Sequence, residues 1–131
     1  MTTLVLDAGA LIALDRNDRS TWAMLRNAAD DSAEVSVPAG AIAQAWRDGS
    51  RQALLARVLS HCDEVPLDST LARATGLLCG QAGTTDIVDA SVALIAAARS
   101  RGGPVALVTS DLTDIAHLLD TLGASVRIVA L

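Results

Sequence analysis

Not one of the 131 residues is lysine, phenylalanine or tyrosine; all 10 basic residues are arginines, and Trp22 and Trp46 are the whole aromatic complement. Without clustered aromatics there is no platform on which the bases of a single strand stack in succession. Without lysine there is no ammonium to hold a phosphoryl group beside a strand-end aspartate, which a receiver-type phosphoacceptor domain requires. Cysteine is scarce: Cys62 and Cys79 stand alone, with no CxxC pair and no histidine at ligand spacing, so two buried thiols are expected in place of a zinc site or a disulfide framework. His61 and His117 are far apart and read as surface or structural residues. Positive charge is in deficit, with a formal net charge of −5, which disfavours non-specific binding to polyanions and leaves arginine to hold any phosphate. No apolar run approaches the ~20 residues of a spanning helix, and no basic segment precedes an apolar one as in an export signal. A soluble, cytoplasmic protein with no membrane partner is expected. No repeat, low-complexity tract or linker divides the chain, so residues 1–131 are expected to form a single domain.

What is present is an apolar fraction of 51%, rich in Ala, Leu and Val and spread along the chain. Short apolar runs predict strands at 3–6, 105–109 and 125–129, alternation predicts one at 34–37, and a brief strand is expected at 63–67. Between them, helical spacing predicts helices at 8–15, at 18–30 with Trp22, Leu25, Ala28 and Ala29 on its apolar face, over "PAGAIAQAW" and "RQALLARVLSHC", and at 69–80, 86–100 and 111–121. The helix at 86–100 is expected to be the longest, and Pro38 to occupy the first turn of its helix. Nearly all-apolar strands alternating with helices indicate an α/β fold: a central, mostly parallel sheet of four to five strands with helices on both faces. Ligands in such folds sit outside the carboxyl ends of the strands, where Asp7 and Asp111 emerge.

Four segments carry the chemistry: "VLDAG" with Asp7, "VPAGAIAQAW" with Gln44, "TTDIVDASVALIAAA" with Asp86 and Asp89, and "LVTSDLTD" with Asp111 and Asp114. Taken singly, Asp86, Asp111 and Asp114 suit helix N-caps or first turns. Asp89 resists that explanation, because it adjoins an apolar helical run in which an unpaired carboxylate is costly. Asp7, delivered by a buried strand, faces a crevice. Carboxylates that converge in a cleft repel and are pushed towards protonation unless a cation neutralises them. A hard divalent ion such as Mg²⁺ or Mn²⁺, held by carboxylates together with a substrate phosphate, resolves the conflict. An aspartate-nucleophile phosphohydrolase also begins with a strand-end Asp, but its motif wants a second Asp where Gly9 stands.

These four segments, in this order and over nearly the whole chain, resemble the PIN-domain ribonucleases, in particular the VapC-type toxins of bacterial toxin–antitoxin pairs. The resemblance implies a PIN-like three-layer fold, an acidic pocket binding Mg²⁺ or Mn²⁺, and endonucleolytic cleavage of RNA leaving 5′-phosphate and 3′-hydroxyl ends. It implies a homodimer and a cognate antitoxin that blocks the site. By motif, Asp7, Asp89 and Asp111 take the catalytic and metal-binding positions, and Asp86 and Asp114 are further carboxylates able to join the ion. The ion would polarise the phosphoryl oxygen and activate a water for in-line attack. Asp7→Asn is then expected to remove most activity with little loss of fold. Thr109 and Ser110 are expected to orient a carboxylate. Arg47 and Arg51, with Arg57 in the same segment and Arg16 and Arg19 after the first short helix, are expected to contact RNA phosphates. Gln44 stands where the resemblance has a glutamate, so the pocket holds one charge fewer. The alternative is therefore a weakened or inactive module that binds an antitoxin or RNA without turnover.

Overall fold

The computed structural model describes residues 2–131. The chain runs β1 (Thr3–Leu6), α1 (Ala8–Asp15), α2 (Arg19–Asp30), β2 (Glu34–Pro38), α3 (Ala39–Ala45), a 3₁₀ turn (Gly49–Arg51), α4 (Ala53–Leu59), β3 (Asp63–Val65), α5 (Ser69–Ala82), α6 (Ile87–Ser100), β4 (Val105–Thr109), α7 (Leu112–Leu122) and β5 (Arg127–Ala130). The strands form one five-stranded sheet in the order β3-β2-β1-β4-β5, every pair parallel. β1 is buried along its whole length, as a central strand covered on both faces must be. From β1 the chain winds outward to β2 and β3, then crosses back to β4 and β5 on the other side. Right-handed crossovers therefore place α1–α4 on one face and α5–α7 on the other. Helices α5, α6 and α7 pack on one another, and α6 also lies on β1, β2 and β4; α1 packs on α2, α3 and α4. The core between these layers is dominated by fully buried leucine and valine, among them Leu6, Leu11, Leu107, Val5 and Val108.

Four helices begin on an aspartate whose side chain accepts a hydrogen bond from the backbone N–H three residues on. The pairs are Asp7–Ala10 (2.8 Å), Asp18–Thr21 (3.0 Å), Asp68–Leu71 (2.8 Å) and Asp86–Asp89 (2.9 Å). Each bond satisfies one of the free donors at a helix start. α5 and α7 stop at Gly83 and Gly123, which take left-handed φ values of 73° and 66° that a side chain would oppose.

The departures from expectation are local. Pro38 is the last residue of β2 and precedes the helix: it pairs with Val65, beyond the point where β1 has stopped pairing, so its missing N–H leaves no gap in the ladder. α4 is shorter than its apolar run, because "GSR" forms the 3₁₀ turn and Gln52 turns inward ahead of the helix. α5 extends to Ala82 and equals α6 at 14 residues, so α6 is not the longest helix. β5 begins at Arg127, two residues later than expected. Ala29 is exposed, leaving Trp22, Leu25 and Ala28, joined by Met24, to pack on the core from α2. Cys79 is buried as expected, but Cys62 is only half-buried, at the end of the α4 region where the chain surfaces towards β3.

Candidate metal centre

β1 and β4 are neighbours from which the chain departs in opposite directions, and a crevice opens outside their carboxyl ends at such a point. Asp7 follows β1 there and is 3% exposed. Both its oxygens are engaged: Oδ1 accepts from the Ala10 N–H, and Oδ2 accepts from the Ser110 N–H at 3.2 Å. One carboxylate thus caps α1 and ties the end of β1 to the corner after β4. The close approach explains "DAG": a Cβ on Gly9 would overlap Ser110 Oγ and come within 2.5 Å of Ser110 Cβ.

Asp86, Asp89 and Asp111 each bring one carboxylate oxygen to within 4.8 Å of the others, the one such group of potential metal ligands among the described residues. Asp86 is the exposed N-cap of α6; Asp89, one turn in, is 8% exposed. Asp111 occupies the cap position of α7 but caps nothing: its backbone is turned to φ −127°, ψ 60°, and its side chain accepts no bond from the helix start. The Asp111 N–H instead donates to buried Thr109 Oγ1 at 2.8 Å, which fixes the corner and frees the carboxylate for the cluster.

Unit charges 4.8 Å apart repel by roughly 3 kcal/mol at the effective dielectric near a protein surface. The effect falls on Asp89, the most enclosed of the three, whose carboxyl is pushed up to about 8. Burial is the main cause, followed by a hydrogen bond with Asp111 and the charges of Asp86, Asp111 and Asp7. Asp114, exposed in the first turn of α7, is also raised, first by the Asp111 charge and then by a hydrogen bond with it. Asp114 lines a small cleft of about 20 Å³ with Thr84, Asp86, Asp89, His117 and Leu118. Asp89 Oδ2 is buried and has no hydrogen-bond partner.

An orphaned carboxylate oxygen and an all-oxygen donor set from three acids suit a hard divalent cation, and no nitrogen or sulfur of the trio competes for a softer one. Asp7 stands behind the trio, near enough to raise Asp89, with its own oxygens bonded to backbone. Ser110 is exposed and contributes its N–H to Asp7.

Gln44 is exposed on the last turn of α3, whose first turn packs on α6: a Cβ on Gly40 would sit 3.5 Å from Val88 and 3.7 Å from Ser91 Oγ. The arginines stand apart from the cleft. The Arg47 guanidinium donates to the Ala43 and Trp46 carbonyls at 2.9 Å each, closing the end of α3, and Arg51 lies 3.6 Å from Asp48. Two further residues at the site, Thr84 and His117, do not stand out in the sequence. Thr84 Oγ1 accepts from the Asp86 N–H at 3.1 Å, an ordinary Thr-x-Asp corner visible in "TTD". His117, expected at the surface, is exposed and lines the cleft with Asp114 one helical turn before it.

The parallel sheet and its strand order give a PIN-like α/β fold. One chain of VapBC2 from Rickettsia felis, solved bound to a DNA fragment from their promoter, superimposes with a TM-score of 0.65 at 16% identity. That alignment covers 100% of this chain and 99% of the other. A chain of FitAB, solved bound to an IR36 DNA fragment, gives 0.61 at 15% identity over 98% and 94%. No family model and no curated protein matches the sequence. Among the described residues no helix is long and apolar enough to cross a membrane.

Proposed function

We propose that this chain is a divalent-metal-dependent endoribonuclease acting as the toxin of a toxin–antitoxin pair. The observation that carries the reading is the buried, unpartnered Asp89 oxygen beside Asp86 and Asp111 at the switch point of the sheet. Asp86, Asp89 and Asp111 would hold Mg²⁺ or Mn²⁺, which when bound supplies Lewis acidity towards phosphate and an activated water. Asp7 shapes the rear of the site: it locks the β4–α7 corner that presents Asp111 and adds a charge that favours cation uptake. Asp114, on the rim, is placed to accept a proton from an entering water. Thr109 holds Asp111 in its non-capping conformation. Arg47 and Arg51 are the proposed phosphate contacts, reached by an RNA strand that crosses the mouth of α3.

The similarity to VapBC2, solved on a fragment of its own promoter, supports placing this chain in a two-gene pair with a cognate antitoxin. A homodimer is part of the same reading. The exposed Gln44 amide favours a second one, a module that binds partner or RNA without turnover.

The test is cleavage of total RNA with and without Mn²⁺. Wild-type protein is expected to cleave only with the ion, and Asp89→Asn or Asp111→Asn to lower the rate by at least about a hundredfold. Metal binding by calorimetry without any cleavage would select the second reading, and Gln44→Glu would then be expected to restore turnover.

A further inference from the structure

The three acids come from two structural units. Asp86 and Asp89 belong to the α5–α6 corner and the helix after it, whereas Asp111 is presented by the β4–α7 corner. Their mutual repulsion in the absence of an ion is opposed by the packing of α5 and α6 on α7 and by the bonds between these units.

The α5–α6 corner is tied internally at two points. Thr84 Oγ1 accepts from the Asp86 N–H, and Cys79 Sγ approaches the Asp86 carbonyl at 3.8 Å. Both ties fix Asp86 relative to α5; neither reaches α7. His117 does: its Nε2, on α7, lies 2.8 Å from the Ala82 carbonyl at the end of α5, a tie separate from the Asp89–Asp111 hydrogen bond at the site itself. That carbonyl belongs to the last turn of α5, where intrahelical donors run out and the Gly83 and Thr84 N–H groups both turn to Cys79 O. A carbonyl only accepts, so the ring nitrogen facing it donates, which sets the imidazole orientation. The ring then lines the cleft between Asp86, Asp89 and Asp114.

We propose that His117 is a positioning residue of the acidic site: by bonding the Ala82 carbonyl it clamps the α5–α6 corner to α7 and so holds Asp86 at ligand distance from Asp111. The proposal rests on the acidic trio being a divalent-ion site. Groups that act on ligands from outside the coordination shell commonly alter metal affinity by 10–100-fold when removed.

The experiment is Mn²⁺ titration by calorimetry of the full chain, with metal-free melting temperature recorded in parallel, for wild type, His117→Ala, His117→Gln, Asp86→Asn and the His117→Ala/Asp86→Asn double variant. His117→Ala is expected to weaken Mn²⁺ binding about tenfold. His117→Gln, whose amide N–H reaches the same carbonyl, is expected to stay within about twofold of wild type. The double variant is expected to bind no more weakly than Asp86→Asn alone, because the clamp acts through Asp86. Wild-type affinity in His117→Ala, equal losses in the alanine and glutamine variants, or additive losses in the double variant would overturn the proposal while leaving the ion site standing. Absence of Mn²⁺ binding by the wild type would overturn the ion site itself and this proposal with it.

Discussion

Asp89 and Asp7 show how two buried carboxylates on one sheet edge can have opposite burdens. Asp7 has both oxygens satisfied by N–H donors, whereas Asp89 has an oxygen with no partner and a carboxyl raised to about 8 by burial, Asp111 and neighbouring charge. A carboxyl raised in the folded state above its unfolded value near 3.8 contributes stability that is full below that value and is lost as pH rises through about 8. The metal-free protein is therefore expected to lose stability between about pH 4 and 8 at this site. Urea unfolding across that window should show a slope that Asp89→Asn flattens and saturating Mn²⁺ reverses. Asp7→Asn carries a structural penalty that sequence alone did not indicate. An amide keeps one acceptor for Ala10 but turns its NH₂ towards another donor at Ser110 or the reverse, for about 1–3 kcal/mol of lost stability in denaturant titration. At Gly9, alanine forces Ser110 away and is expected to destabilise by about 1–3 kcal/mol; Ser110→Gly in the same chain should recover most of it.

Among the elements, the connection from α3 to α4 shows where sequence patterning stops. The side chain of buried Gln52 makes four hydrogen bonds: Oε1 accepts from the Arg47 and Asp48 N–H groups at 2.7 and 2.8 Å, and Nε2 donates to Asp15 Oδ2 at 3.1 Å and Ala45 O at 2.9 Å. One amide thereby gathers the ends of α1, α3 and the start of α4. A Cβ at Gly49 would stand 2.5 Å from the Trp46 ring, so a side chain there would push that ring aside. Gln52→Ala leaves two N–H donors and a carbonyl unpaired in a half-closed corner, and a loss of about 2–4 kcal/mol is expected by chemical denaturation. Apolar periodicity located the strands because buried parallel strands are written as uninterrupted apolar runs; β1 and β4 begin and end where those runs do. It could not show Gln52 as a hub, since a polar residue at the head of an apolar run has no periodic signature. Asp86 illustrates the same limit. Its cap role and its place in the acidic trio are both real, and only the meeting of α6 with the β4–α7 corner reveals the second.

For the whole molecule, the sheet order makes the site. Because β1 and β4 are adjacent although about a hundred residues of chain separate them, Asp7 and Asp111 share one crevice, and the recurrence of acids at strand ends was the legible sign of it. Which three carboxylates come within 4.8 Å of one another was not legible, since that depends on capping: Asp7 accepts from two backbone N–H groups, whereas Asp111, whose N–H bonds Thr109, caps nothing. Charge is also divided. The cleft is acidic and lined by no arginine, so under the proposed function an RNA strand would be held from outside it. Arg51, largely exposed, is expected to account for about one phosphate contact; Arg51→Ala should lessen the slope of log affinity against log salt by about 0.7 for single-stranded RNA.

The most direct test is anomalous diffraction from a crystal of the protein soaked in Mn²⁺. One peak bridging the carboxylates of Asp86, Asp89 and Asp111, and its loss in Asp89→Asn, is the result expected. A fully soaked crystal with no peak there, or with a peak that persists unchanged in Asp89→Asn, would contradict it.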